Sequence, residues 1–322
     1  MIVAYLIRRT LYGVATVLGV LLFLFILFFL VTNPDDIARK AIGEKAPPEA
    51  IAQWKMNHGY DRPRFWNPAA PSDTMLVEHF RRMLTFDFGR SDADDVPIAR
   101  RLRSGIGPSL ALTVPLFLLE LPLAVGLALF VAFFRETYID RSGVVLCVLA
   151  MSVSLLLYII GGQYLLGKLL RWFPISGFDA RPSVLPRFMA LPVTVGLLAG
   201  LGESVRFYRA VFVEETGRDH VRTARAKGCS DGRVMVRHVL RNAMIPILTQ
   251  VVLAIPFLFT GSLLLESFFG IPGLGSITVD AIHGNDFATL RTMVYIGSLL
   301  FVFGQILTDL SYTLVDPRVR LE

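Results

Sequence analysis

Apolar and polar positions do not alternate along this chain; they clump. Uncharged runs occupy positions 10–34, 104–119, 121–134, 142–167, 188–202, 242–265 and 292–308. Only Glu120 separates the second run from the third, so the chain presents six apolar blocks. A bilayer core needs about 20 apolar residues per helix, and backbone amides in lipid must be satisfied within their own segment. The pattern therefore predicts helices near 11–31, 109–134, 143–167, 188–209, 243–265 and 291–313. The period-two alternation of a membrane β-barrel is absent. The fourth block reaches span length only by running on through Glu203 and Arg206, and the sixth by running past Asp309. The fold class expected is an all-α polytopic membrane protein with six transmembrane helices.

Composition agrees with the pattern. Of 322 residues, 54% are hydrophobic and 18% charged, against about 25% charged in a soluble domain. Disorder, collagen and a small disulfide scaffold are excluded. The first block has a basic lead-in at Arg8 and Arg9, as a signal peptide does. Its apolar stretch, Leu11–Val31, is too long for one, and its exit at Thr32, Asn33 and Pro34 offers no small-residue cleavage site. An uncleaved first span is expected. Cys147 lies in an apolar block and Cys229 in a basic loop, so neither a disulfide framework nor a metal knuckle is implied.

Charge sets the orientation. Segment 203–241 holds nine basic residues, and Arg8, Arg9, Arg135, Arg141, Arg318 and Arg320 fall on the same side. The opposite short loops hold five: Lys168, Arg171, Arg181, Arg187 and Arg291. Positive-inside bias places both termini in the cytoplasm. Loop 32–103 is then external. It carries twelve basic and eleven acidic residues, which nearly cancel, and it is too long for the rule to govern. The chain divides into an N-terminal tail and first span (1–31), this Pro-rich outer loop with one or two short helices such as 74–84, and a core of five further spans (104–322). Residues Gly270–Gly275 form a turn-rich apolar segment able to dip back toward the bilayer if protein covers its backbone. The net charge of +6 has its excess in the cytoplasmic loop, which is no signature of nucleic-acid binding.

Catalytic signals are absent. Gly162, Gly167 and Lys168 match the spacing of a phosphate-binding loop, but Leu169 lacks the hydroxyl that would hold Mg²⁺, and no strand precedes them. His58, His79, His220, His238 and His283 are scattered. No cofactor and no metal is implied. Glu120 lies near the middle of the second span, where a carboxylate must face the bundle interior or water. It is either a substrate-path or proton-coupling group or a hydrogen-bonded packing residue. Glu266 and Asp309 lie near span ends and are expected to reach an interface; Glu266 is also a substrate-path candidate. Gly196 and Gly200 form a GxxxG that lets two helices approach closely.

The informative segment is cytoplasmic, 211–241, leading to the membrane at Pro246. Gly217, Val221, Ala224 and Gly228 recur at helical spacing and predict a small-residue stripe on a helix over 214–228. Arg218, Arg222 and Arg225 flank it, Lys227 suits a helix C-terminus, and Gly228 suits a left-handed stop. Ser230 can cap a second helix bearing Arg233, Arg237 and Arg241. Such a knob fits a protein cleft; alternatively, an interfacial helix pair rests on anionic lipid.

These residues resemble a known family. Asp219–Gly228, continued by Arg237–Pro246, is similar to the cytoplasmic loop of permease subunits of dipeptide/oligopeptide-type ABC importers. Ala224, Gly228 and Leu240 fall in register with the importer motif EAA, three residues, Gly, nine residues, IxLP. Arg222, Thr223, His238 and Arg241 depart from it, as the peptide-type variant does. Phe86–Ser91 resembles the family's outer FDFGxS, Phe173–Phe178 its PxSGY turn, Gly261–Gly275 its GxxxxE…PGLG stretch, and Asp309–Arg318 its DLxYxxxDPR tail. Residues 284–287 replace the usual Arg-Asp-Tyr/Phe-Pro turn, and Glu120 takes a position usually apolar.

The resemblance implies a type I importer permease in a bacterial inner membrane. Its partners would be a second homologous permease subunit, two ATP-binding subunits and an extracytoplasmic substrate-binding protein delivering peptide. ATP hydrolysis would lie in the partner subunits. Gly217, Val221, Arg222, Ala224, Arg225, Lys227 and Gly228 would couple to the ATPase, with Ala224 and Gly228 as contact points. Nickel or another small solute is the alternative cargo. An ion-coupled secondary transporter using Glu120 is the alternative of a different class.

Overall fold

The computed structural model describes residues 2–31, 33–68, 70 and 73–315. Thr32, Pro71, Arg318 and Arg320 lie outside the described residues, as does the end of the DLxYxxxDPR tail. Helix α1 (Ile2–Phe25) is prolonged by a wide π turn, Ile26–Val31. The outer segment folds as three short helices, α2 (Pro34–Ile42), α3 (Pro48–His58) and α4 (Met75–Leu84), more than the one or two expected. Then follow α5 (Ile98–Phe133), α6 (Tyr138–Ser152), and α7 (Leu155–Gly162) with its π turn Gln163–Leu169. Helix α8 (Leu185–Thr216) leads to the cytoplasmic α9 (Asp219–Ala226) and α10 (Asp231–Val234). Helix α11 (Leu240–Thr260), the short pair α12 (Leu263–Phe269) and α13 (Leu274–His283), and α14 (Phe287–Val315) complete the described chain.

Contacts fix the sidedness. Helix α1 runs antiparallel to α14: Arg9 pairs with Asp309 at one end, and the Phe28 and Phe287 rings lie 5.8 Å apart at the other. The start of α1 and the end of α14 therefore share one face, which requires an even number of crossings between them. Five helices are long and apolar enough to cross alone, and two bent pairs, α6–α7 and α12–α13, could each add one. Six crossings follow if one pair spans and the other turns back. Helix α5 ends beside α9, so α6–α7 must return to the outer side to begin α8. The pair α12–α13, bent by 83°, packs on the outer third of α5 and is the re-entrant one.

The third span is not the continuous helix expected over 143–167; it bends by 87° at Val153 and Ser154. Val153 adopts an extended conformation, and the Ser154 hydroxyl accepts the Leu157 N–H (3.4 Å) to start a new helix. Serine competes well for backbone amides, which is why it caps rather than continues helices. The Tyr158 hydroxyl donates to the Ala150 carbonyl (3.0 Å) across the bend and ties its two arms together. Pro108, Pro115 and Pro122 are accommodated inside α5 without ending it.

Three clusters carry the packing. One joins α1, the outer helices, α13 and α14, so the outer segment shares a core with the first and last spans. A second lies at the cytoplasmic base among α5, α8, α9 and α11. The third packs α5, α7, α8 and the re-entrant pair. Leu118, Leu119, Leu127 and Phe130 are exposed on α5, as a lipid-facing surface is. Helices α5 and α8 meet through the GxxxG. A methyl group built on Gly200 would stand 2.7 Å from Glu120 Oε1, so glycine is what permits the approach.

His79 shows how tightly α4 is sealed onto α1. Its ring lies against Phe25 and Phe29, and its Nε2–H donates to the Leu21 carbonyl at 3.1 Å. Burial, reinforced by the Arg291 charge, holds its pKa down to about 3. The folded state thus refuses a proton that the unfolded chain accepts near pH 6.5. Stability is unaffected above that pH and falls as pH drops from about 6.5 toward 3, by up to about 2 kcal/mol at pH 5. Thermal melting in detergent at pH 7 and pH 5 should show this loss, and His79→Phe should abolish most of the difference.

Candidate functional site: the cytoplasmic segment and the span interior

Helix α8 ends at Thr216, and Gly217 caps it with right-handed geometry. Arg218 turns the chain in extended conformation and ties it back, its guanidinium reaching Glu215 (2.9 Å) and Glu214 (3.3 Å). Asp219 opens α9 and favours its N-terminal dipole. The helix stops at Lys227, and Gly228 takes φ +77°, the left-handed region expected of it. The Gly228 and Cys229 N–H groups close onto the Arg225 and Ala224 carbonyls. Ser230 occupies the cap position of α10 in extended geometry, but its hydroxyl makes no capping bond.

Two expectations are corrected. Gly217 belongs to the end of α8, so it does not share a helix with Val221, Ala224 and Gly228, and the cytoplasmic helix is Asp219–Ala226 rather than 214–228. The small-residue face also points inward. Val221 is 0% and Ala224 6% exposed, packed with Phe212, Val234 and Met235 at the base of α5. Ala224 is thus covered by its own chain and does not face outward. Its short side chain lets α9 sit close. Arg222, Thr223, Arg225, Ala226, Lys227 and Gly228 form the exposed face. Arg222 and Arg225 lean toward Asp219 (3.7 Å) and Asp231 (3.3 Å), and neither is buried.

Beside α9, Arg209 of α8 forms a two-pronged pair with Asp140 of α6 (2.6 and 2.7 Å), with little of the carboxylate exposed. His220 meets Asn242 of α11 (2.8 Å) and Glu215 (3.4 Å). The segment is thereby fastened to α8 and α11, while the neighbouring base of α8 is fastened to α6.

Glu120 is half-buried, and its Oε1 accepts the Ser204 hydroxyl at 2.7 Å. Glu266 does not reach an interface. It is 0% exposed and accepts from Ser109 Oγ (2.8 Å) and from the N–H groups of Ser262 (3.2 Å), Gly275 (2.7 Å) and Ser276 (3.1 Å). Ser109 in turn accepts the Leu274 N–H (2.8 Å). The first three N–H groups of α13, which have no partner inside their helix, are all taken up. Glu266 is therefore enclosed by its own chain, and it and Glu120 share no contact.

Sequence reasoning missed an outer lock. Asp286, 1% exposed, accepts from Ser91 Oγ (2.6 Å), Asp92 N (3.0 Å), Thr289 Oγ1 (2.6 Å) and Arg101 (3.2 Å). Asp92 answers by accepting the Ala288 N–H (2.8 Å). The signal was present in two short motifs, around 86–91 and 284–287, whose pairing no spacing rule reveals.

The fold defines a polytopic membrane protein whose cytoplasmic helix is seated against its own spans. Residues 124–321 match the family described as binding-protein-dependent transport system inner membrane component, and residues 2–69 match its N-terminal membrane component. The chain belongs to this family and is a permease subunit of an ABC importer, a multi-pass protein of the bacterial inner membrane. It is similar to the glutathione transport system permease protein GsiC of Salmonella typhimurium, with 30% identity over 98% of both chains. A "probable peptide ABC transporter permease protein" of Sinorhizobium fredii is 29% identical over 98% of this chain and 99% of that one. A permease of such a system works with ATPase and substrate-binding partners, and the family is generally non-catalytic.

Glu266→Ala should destabilise the purified subunit by about 3 kcal/mol or more, because several buried donors lose their acceptor together. Glu266→Gln, which keeps one carbonyl oxygen, should cost less. Thermal melting of the two variants against wild type checks the order.

Proposed function

We propose that this chain lines a translocation path for short peptides together with a second homologous permease subunit. Two ATP-binding subunits grip the exposed face of α9, and an extracytoplasmic binding protein delivers cargo to the outer segment. Hydrolysis belongs to the ATP-binding subunits. The observation that carries this reading is the cytoplasmic helix itself: one side is wedged among α5, α8 and α11, the other presents Arg222, Arg225, Lys227 and Gly228. A push on such a helix is delivered to the spans, because packed interiors transmit displacement rather than absorb it. Val221 and Ala224 act as the seat, and Gly217 marks the joint with α8. The names of the two relatives support a peptide cargo.

Two variants test the grip. Gly228→Val forces a β-branched residue into a left-handed conformation, at about 1–2 kcal/mol, and should reshape the turn after α9. ATP-driven peptide uptake in reconstituted vesicles should fall at least about tenfold while the protein still inserts. Arg222→Glu with Arg225→Glu should lose co-purification with the ATP-binding subunits. Wild-type uptake and wild-type capture would refute the coupling role.

A second reading, ion-coupled transport on Glu120, has one observation behind it: a carboxylate inside a span, bonded there to Ser204. It requires uptake without any ATP-binding partner. Under the reading proposed here, Glu120→Gln leaves ATP dependence intact and alters the rate modestly. Uptake by the isolated subunit that disappears with Glu120→Gln would reverse the choice.

A further inference from the structure

Between α5, α6 and α8, on the cytoplasmic half of the bundle, lies an apolar groove of about 490 Å³. Leu127 and Val131 of α5, Leu146 and Ala150 of α6, and Leu198 and Leu201 of α8 help to wall it. Gly202 brings α8 this close to α6, since a methyl group there would stand 2.9 Å from the Cys147 carbonyl. The groove is one leaflet deep. Its α6 wall runs from Ile139 to Ala150, about 16 Å of helix, and one leaflet takes half of a hydrocarbon core about 30 Å thick. Tyr138, 88% exposed, precedes the groove at the start of α6, where aromatic rings mark the boundary of lipid and water. The bend at Val153 follows Ala150 by one turn, near the midplane.

Hydrocarbon is what such a lining accepts. The Ser142 hydroxyl is spent on the Ile139 carbonyl (3.1 Å), and the Cys147 thiol is the other polar side-chain group in the walls. Water finds no set of partners there, and an empty groove forfeits the contacts of its walls. About 490 Å³ spread over about 16 Å leaves a mean cross-section of about 30 Å². A helix is about 10 Å across and cannot enter; a single extended chain of methylenes can.

The mouth is cationic. Arg135 and Arg209 lie close enough to Asp140, and Arg206 and Arg209 to Cys147, for their charges to act there. Arg209 takes both Asp140 oxygens (2.6 and 2.7 Å), and Arg135 has Glu136 beside it (3.4 Å). Arg206 is exposed, and among the described residues no ion pair engages it. Helical spacing puts Glu203 on the far side of α8 from Leu198, Leu201 and Val205. One positive charge is thus left over beside an apolar slot, and basic pockets between spans on the cytoplasmic side take anionic headgroups.

We propose that this groove binds an anionic phospholipid of the cytoplasmic leaflet, one acyl chain lying between α6 and α8 and the phosphate on Arg206. The chain completes the wall that the bundle leaves open beside the broken third span.

The test uses the assembled importer, with its partner permease and ATP-binding subunits, in phosphatidylcholine nanodiscs. The probe is a phosphatidylglycerol carrying a photoreactive diazirine in mid-chain, and its adducts are mapped by mass spectrometry after digestion. Adducts should concentrate on 127–131, 139–150 and 198–205. Unlabelled phosphatidylglycerol should compete at least about fivefold better than unlabelled phosphatidylcholine, the factor one surface arginine supplies. Arg206→Gln, at an exposed position, should remove that preference. Ser142→Phe, which fills the mouth, should lower the adduct yield at least about fivefold. The proposal is overturned if the two lipids compete equally in the wild type. It is overturned if adducts fall evenly around α6, on outward Val145 and Val148 as much as on the groove. It also fails if a short thiol-to-carbon cross-linker on Cys147 captures the partner permease while no lipid adduct forms, for then side chains of that subunit fill the groove.

Discussion

Hydrocarbon offers backbone amides nothing to bond with, and the breaks at the third span and at the re-entrant pair answer that constraint. Where a span bends, a side chain stands in for the missing helical partner. Ser154 and Tyr158 do this at the kink of the third span. Glu266 and Ser109 do it for the opening turn of α13. Thr113 reaches the Leu258 carbonyl (2.8 Å) near the end of α11, where Ser262, four residues on, has turned its N–H to Glu266. The carboxylate thus acts as a buried hub, and its isolation from solvent is tolerable because all its neighbours donate to it.

These local solutions make the bundle stiff at both faces. On the outside, Asp286 and Asp92 exchange bonds across the gap between the first loop and the last span. On the inside, the Arg209–Asp140 pair ties two spans together beside α9. Between the faces, the α5–α8 contact depends on small residues, as helix pairing in lipid does.

The number of spans, the placement of both termini and the family likeness were all legible in the sequence, because apolar length and charge asymmetry are properties of composition. The left-handed stop at Gly228 was legible too, because only a few residue types adopt it readily. What could not be read were the facings. Val221 and Ala224 recur at helical spacing whether they look outward or inward, and periodicity names a stripe without naming what covers it. The Ser154 break was hidden because serine is common inside spans. The Glu266 hub and the Asp286 lock join residues 157 and 195 positions from Ser109 and Ser91, distances that no local pattern spans.

The two sides of α9 also bear on how such systems diversify. The inward residues answer to the chain's own interior and tolerate little change. Arg222, Arg225 and Lys227 on the outward side are long and solvated. Under the coupling reading proposed above, selection acting on a new motor protein can rewrite one side of a single short helix without disturbing the other. Duplicated importers could acquire separate motors, or come to share one, by drift at a few arginine codons.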